Sequence, residues 1–251
     1  MVTLERPYIG AIRLQQALPT EPYWVQLPVV RHLQAMEKLE LKAPVTFFVG
    51  ENGTGKSTLL EAIAVASGFN AEGGTRNFRF STKDTHADLH QYLTLSRYAY
   101  PQDGFFLRAE SLYNLASNID DMDASPSFGG RIIDSYGGVS LHKQSHGESF
   151  LSVVLNRFGG HGLYILDEPE AALSPMRLQE LLAAIHQLVL RQSQFIISTH
   201  SPILMAYPHA QIYQLSGQGI DRVSYRETEH YRFTRRFLEN PDRLLRILLE
   251  D

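Results

Sequence analysis

The apolar residues of this chain fall into two patterns. Short unbroken runs, VTFFV at 45–49, LYIL at 163–166 and QFIIS at 194–198, predict strands buried on both faces. Longer stretches space their apolar residues by three and four: Leu59, Leu60, Ile63 and Ala64 after a glycine-rich turn, and Leu178, Leu181, Leu182, Ile185, Leu188 and Val189 within Pro175–Arg191. These predict helices with one buried face. A first strand is expected around Ile9–Leu14. A later helix begins in SHGES (145–149) and turns Phe150, Leu151, Val154, Leu155 and Phe158 inward. AQIYQL and GIDRVSY predict a hairpin, and the C-terminal residues two short helices divided near Asn240–Pro241. Segment 101–119 reads as a turn leading into a helix that packs through Leu107, Leu112 and Leu115, and the acidic 118–130 as a mobile surface loop. Strands alternating with helices in this order predict an α/β fold, a mostly parallel sheet covered on both faces, with a small strand-and-loop region at 69–95.

Composition narrows the function classes. The 251 residues, 43% hydrophobic, are enough for one large domain or two small ones. Twenty-three basic residues against 27 acidic ones give a formal charge of −4, which does not support a uniformly basic nucleic-acid surface, though a local patch stays open. The absence of cysteine removes disulfides, thiolate catalysis and cysteine-ligated metal centres. The opening MVTLERPYIG lacks the apolar core of a signal peptide, and no run approaches the roughly 18 apolar residues of a membrane span. A cytoplasmic protein without direct membrane insertion is the expectation.

The chemistry begins at 50–58. Gly50, Glu51, Asn52, Gly53, Thr54, Gly55, Lys56, Ser57 and Thr58 stand between a predicted strand and a predicted helix, with every fixed position of the phosphate-binding loop filled. Glycines let successive backbone N–H groups converge on phosphate oxygens, and the helix N-terminus favours the same anion. Lys56 is placed to reach the β- and γ-phosphates and the Ser57 hydroxyl to ligate Mg²⁺. Asp167 and Glu168 follow the LYIL run, at the strand end where open α/β sheets bind ligands. With a nucleotide in place, Asp167 holds the Mg²⁺ shell and Glu168 orients the attacking water. His200, at the end of the QFIIS strand, contacts the γ-phosphate. Tyr23 and Trp24, ahead of the loop, are open to stacking on adenine or to core packing. Arg76 and Arg79 are cations suited to phosphate or to solvent. His86 and His90, with Asp84 and Asp88, supply too few ligands for a convincing metal site.

GENGTGKST (50–58), SHGES (145–149), YILDEPEAALS (164–174) and STHS (198–201) resemble the ABC-type ATPase superfamily, in particular its soluble members and the AAA-family ATPases related to recombination and chromosome maintenance. GFFLRAES (104–111), LHKQSHGESF (141–150) and the ETEHY tail (227–231) are similar to a family of small bacterial ATPases. The resemblance implies a single P-loop ATP-binding domain over 1–251, with a helical, signature-bearing subregion at about 101–158. It implies ATP and Mg²⁺ as cofactors, Lys56, Glu168 and His200 as catalytic residues, and Ser57 and Asp167 at the metal. Gln102 becomes a candidate for the glutamine that watches Mg²⁺ and water. Ser145, Gly147 and Glu148 match the signature that completes a partner subunit's ATP site, although His146 replaces the first glycine of its central pair. Ala172, Leu173 and Ser174 match the loop that crosses the dimer. The implied partner is a second copy, with ATP at the interface, and an unidentified protein partner stays open. The rival readings are a nucleotide-switched binding module with little turnover, which Glu168 argues against, and the ATP-binding subunit of a membrane transporter. No long heptad segment is present, so a chromosome-bridging arm is excluded.

Overall fold

Two sheets organise the molecule, a computed structural model that describes residues 4–76, 87–124 and 130–249. In chain order the elements are β1 (Ile9–Leu14), α1 (Pro28–Ala35), β2 (Leu39–Glu40), β3 (Val45–Gly50), α2 (Lys56–Ala66), β4 (Leu93–Arg97), β5 (Asp103–Arg108), α3 (Leu112–Ala124), α4 (His146–Ser152), β6 (Gly162–Asp167), α5 (Pro175–Leu190), β7 (Gln194–Ser198), α6 (Pro202–Met205), β8 (Gln211–Leu215), β9 (Ile220–Val223), α7 (Glu229–Glu239) and α8 (Pro241–Leu249). The main sheet has the order β5-β6-β7-β3-β8-β9; every neighbouring pair is parallel except β8 with β9. A small antiparallel sheet, β2-β1-β4, lies beside it.

The pleat explains why the strand sequences are apolar throughout. Phe47 and Val49 of β3, Phe105 and Leu107 of β5, and Tyr164 and Leu166 of β6 point into a core shared with α3, α4 and α5. The alternate residues, Phe48, Phe106, Leu163 and Ile165, point to the opposite face, where α1, α2 and the small sheet cover them. Two buried glutamines tie the sheets together. Gln194 of β7 accepts from the Ile9 amide at 2.9 Å and donates to the Ile9 carbonyl at 2.8 Å, and Gln211 of β8 donates to the Glu40 carbonyl at 2.9 Å.

The structure corrects the sequence reading in three places. Segment 103–108 is a strand at the edge of the main sheet, not a turn entering a helix, so the helical subregion starts at α3 rather than at 101. The expected loop at 118–130 is helical as far as Ala124, and its residues 125–129 lie outside those described. α4 passes into a turn of π-helix at Val153–Arg157, whose extra residue rotates the face and leaves Leu155 58% exposed while Val154 and Phe158 stay buried. Of the two alternatives open for the aromatics ahead of the loop, Trp24 takes core packing, tilted against Tyr92 at 5.6 Å and so withdrawn from any ligand, while Tyr23 is exposed. Arg76 lies over the Phe69 ring; Arg79, Asp84 and His86 fall outside the described residues. α7 and α8 are amphipathic, yet neither contains a buried residue.

Candidate functional site

Because β5, β6, β7 and β3 run parallel, their C-terminal ends meet along one edge of the sheet. The register sets Arg108 beside Asp167, Asp167 beside Ser198, and Ser198 beside Phe48, two residues before Gly50. Chemistry from four separate stretches of sequence therefore shares one row.

At the β3 end, Gly50 has φ 145°, and a side chain there would collide with the Leu215 carbonyl of β8. Gly55, with φ 95°, caps the start of α2, where a Cβ would run into Val29. These are conformations that glycine adopts freely. The Thr54 hydroxyl donates to the Glu51 carbonyl at 2.8 Å, and the Thr54 carbonyl accepts from the Val29 amide at 3.1 Å, which docks the loop on α1. The Lys56 side chain turns back inside the loop, donating to the carbonyls of Gly50 at 2.8 Å and Glu51 at 3.0 Å. Burial pulls the Lys56 ammonium below its ordinary pKa, opposed by the nearby Glu168, Asp167, Glu170 and Glu51 carboxylates. Ser57 and Thr58 stand in the first turn of α2. Outside the loop is an open cleft of about 400 Å³, bounded by Glu51–Thr54, the β8–β9 turn and Glu229.

The acidic side is braced from several directions. Asp167 is buried; its Oδ1 accepts from the Ser198 hydroxyl, and its Oδ2 faces the Arg108 Nε at 3.4 Å. Arg108 also pairs with Glu61 of α2 at 2.9 Å and lies over the Phe106 ring. Glu168 adopts φ 48° and ψ 55°, a left-handed conformation costly for any residue with a Cβ. Burial and the neighbouring Asp167 push its carboxyl above the usual range, against the pull of Lys56. Its Oε1 lies 3.4 Å from the His200 Nε2. Burial, followed by the Lys56 charge, lowers the His200 pKa and favours the neutral ring. Glu170, which the sequence reading left without a role, accepts from the Thr199 hydroxyl at 2.8 Å and from the His200 amide.

Not every expected residue reaches this edge. Gln102 precedes β5, and its amide donates to the His161 carbonyl at the opposite end of the sheet. Six residue steps, about 20 Å, separate that level from Asp167, so Gln102 is not a metal candidate. Neighbouring Asp103 belongs to a structural knot, accepting from the Gly159 amide at 2.9 Å, Tyr164 at 2.8 Å and Arg157 at 3.0 Å. Arg108 holds the place on β5 beside the acids, and the quoted GFFLRAES already contained it. Ser145 caps α4: its hydroxyl accepts from the Glu148 amide at 3.4 Å and donates to the Glu148 carboxylate at 2.7 Å, and the carboxylate accepts from the Ser145 amide at 3.0 Å. Ser145, His146 and Glu148 are exposed.

The Ser57 hydroxyl and the Asp167 carboxylate are hard oxygen donors of the kind Mg²⁺ takes while keeping water and phosphate oxygens in its shell. Among the described residues, no group of three His, Asp or Glu side chains forms a metal cluster by itself. Nor, among them, is any helix long and apolar enough to cross a membrane.

Comparison with known proteins follows the same division. Residues 30–99, which carry the phosphate loop, match the family model described as "AAA domain". Residues 134–206, which carry SHGES, the acids and His200, match "AAA domain, putative AbiEii toxin, Type IV TA system". No curated protein matches the chain. Among solved structures, one described as "an inward-facing conformation of a putative metal-chelate type ABC transporter" aligns over 91% of this chain and 88% of its own, with 14% identity and a TM-score of 0.50. The SMC head domain from Thermotoga maritima aligns over 87% and 99%, with 12% identity and a TM-score of 0.44. CbiO1 from Clostridium perfringens, part of the ABC transporter complex cbiONQ, aligns over 96% and 99%, with 15% identity and a TM-score of 0.46. Identities this low speak to fold alone. The chain has the P-loop fold of the ABC-type ATPases, and the segments that carry the phosphate loop, the acids and His200 match models of AAA domains.

Proposed function

We propose that the chain binds ATP with Mg²⁺ at Gly50–Thr58 and hydrolyses it to ADP and phosphate. The observation that carries this reading is the convergence of Lys56, Asp167, Glu168 and His200 at the C-terminal ends of adjacent parallel strands. Lys56 exchanges its two loop carbonyls for the β- and γ-phosphate oxygens. Ser57 and Asp167 hold the Mg²⁺, which supplies charge neutralisation on those oxygens when bound. Glu168 orients the attacking water and takes its proton, a role favoured by a carboxyl shifted toward neutral pH. His200 donates from Nε2 toward the terminal phosphate. The loop backbone from Glu51 to Thr58 supplies the anion-binding N–H groups.

The active form in this reading is a head-to-tail homodimer in the cytoplasm, each ATP held between one subunit's phosphate loop and the other's SHGES segment. The exposure of Ser145, His146 and Glu148 among the described residues supports it. Ser145 would then leave its capping contact with Glu148 for the partner's γ-phosphate. Calorimetry and phosphate release test the chemistry. Lys56→Ala should abolish measurable ATP binding, and Glu168→Gln should keep binding while losing about a hundredfold or more of turnover. Equal affinity and turnover in wild type and Lys56→Ala would sink the reading. Light scattering of ATP-loaded Glu168→Gln tests the dimer, which a strictly monomeric species at micromolar concentration would defeat.

A further inference from the structure

We infer that His230, on α7, is a positioning residue of this site: its Nε2–H fixes the His200 tautomer that presents an N–H toward Glu168 and the place of the terminal phosphate. The two rings are joined by a 2.9 Å contact between His200 Nδ1 and His230 Nε2 and meet edge to face, with centroids 5.0 Å apart. One of the two nitrogens must carry the hydrogen between them. The far side of His200 decides which. Its Nε2 faces the Glu168 Oε1 at 3.4 Å, and a carboxylate can only accept. A neutral imidazole has one N–H, so a hydrogen on Nε2 leaves Nδ1 bare and makes His230 Nε2 the donor. That assignment also suits the other nitrogen of His230. Nδ1 is buried and, among the described residues, has no hydrogen-bond partner. Placing the ring hydrogen on Nε2 avoids burying an unpartnered donor there. Burial lowers the pKa of both rings, with the Lys56 charge acting in the same direction, so neutral forms are consistent with the contact.

The placement of His230 is built rather than incidental. Thr228, fully buried, caps α7 by accepting from the Tyr231 amide at 3.3 Å and donates to the Tyr225 carbonyl at 2.8 Å. The Glu229 amide donates to the Gln214 side chain of β8 at 3.1 Å, and Glu229 itself borders the cleft outside the phosphate loop. The first turn of α7 is thus anchored at the nucleotide edge, while the rest of the helix contributes no buried residue. The ETEHY stretch of the sequence acquires a role: it carries the second ring of a Glu168–His200–His230 chain.

The kinetic arm of the test rests on the ATPase reading; the spectroscopic arm does not. Long-range ¹⁵N–¹H correlation of the histidine rings in nucleotide-free protein should show His200 protonated at Nε2 and bare at Nδ1. His230→Phe keeps a ring and loses the donor. It should lose that single tautomer and lower kcat about tenfold or more with the KM for ATP little changed, as a mispositioned group does. His230→Gln, whose amide N–H can reach the same place, should restore both the tautomer and the rate. A wild-type His200 protonated at Nδ1 overturns the inference, and that spectrum needs no variant to fold. So does a Phe variant with unchanged tautomer and kcat, or a Gln variant as impaired as Phe. A wild type that turns over no ATP would sink the ATPase reading instead, leaving the tautomer to be decided by the spectrum.

Discussion

The two sides of the nucleotide edge are built on different terms. The phosphate-loop side is nine consecutive residues at one strand–helix junction, Gly50–Thr58, and its internal bonds, Thr54 to Glu51 and Lys56 to Gly50 and Glu51, span no more than six residues. The acid–histidine side draws Arg108, Asp167, Glu170, Ser198 and His200 from three strand ends and His230 from a helix. Its bonds join residues about thirty positions apart or more. The first side keeps its shape wherever the β3–α2 turn forms. The second exists only if β5, β6 and β7 pair in register and α7 docks. Substitutions on the second side should therefore register as losses of stability as well as of chemistry.

Arg108 gives the strongest way to break that contrast. Its guanidinium lies between Glu61 of α2 and Asp167 of β6, so it joins the two sides, with side-chain exposures of 17%, 14% and 4% respectively. Replacing it by Met keeps the stem and leaves a buried carboxylate, Asp167, and a half-buried one, Glu61, without their cation, which should cost about 3 kcal/mol of folding stability. Urea unfolding measures this. The double variant Arg108→Met with Glu61→Gln should recover part of the loss, because one stranded charge is gone. Stability within about 0.5 kcal/mol of wild type for Arg108→Met would show that the two sides are independent.

The same contrast governs what could be read from sequence. The phosphate loop was legible because its function is local: spacing, glycines and a following apolar helix are all contiguous. Asp167, Glu168 and His200 were legible as strand-end residues because the runs ahead of them, LYIL and FIIS, are long enough to identify as buried strands. β5 was not, since a three-residue apolar stretch between Gly104 and Arg108 fits a strand or a helix equally. Misreading it moved the expected metal-watching residue to Gln102, at the wrong end of the sheet, and hid Arg108. Trp24 shows a second limit. Composition marks an aromatic ahead of the loop, but only the position of Tyr92, 68 residues later, decides that it packs as core. His230 is further still from any local signal, because nothing in ETEHY says which strand end lies beneath it.

Glu170 sharpens the comparison through pH. Burial raises its carboxyl above the usual range despite the His200 amide and the Thr199 hydroxyl, which favour the charged form. For a carboxyl raised in the folded state, the native protein holds a proton that the unfolded chain releases near pH 4.3. The associated stability is complete below that pH and is lost as pH rises through the folded pKa. Glu170→Gln removes this titration. The stability of wild type relative to Glu170→Gln should therefore fall as pH increases from about 4 toward neutrality, then level off. Urea midpoints for the two proteins between about pH 4 and 8 test it, and curves that run parallel would reject the assignment.

The smallest expected effect lies in a single backbone. Glu168 is held at φ 48° and ψ 55° between the end of β6 and the helical turn Pro169–Ala171. Its amide is fixed by the Ser198 carbonyl at 3.2 Å and the Ser198 hydroxyl at 3.3 Å, so the paired strand imposes the conformation rather than the residue choosing it. A Cβ in this region costs about 1–2 kcal/mol that glycine does not bear, against less than about 1 kcal/mol for glycine's extra freedom in the unfolded chain. Glu168→Gly and Glu168→Ala both lose the carboxylate, so their chemistry should be equally poor. Their stabilities should differ, with Gly above Ala by about 1 kcal/mol, the reverse of the order in an ordinary helix or strand. Thermal unfolding of the two variants side by side reads the difference directly. If Ala proves the more stable, the strained turn relaxes once the carboxylate is gone. The left-handed backbone would then be held by the contact of Glu168 with His200 and the nearby charge of Lys56, and not by the β6–β7 register.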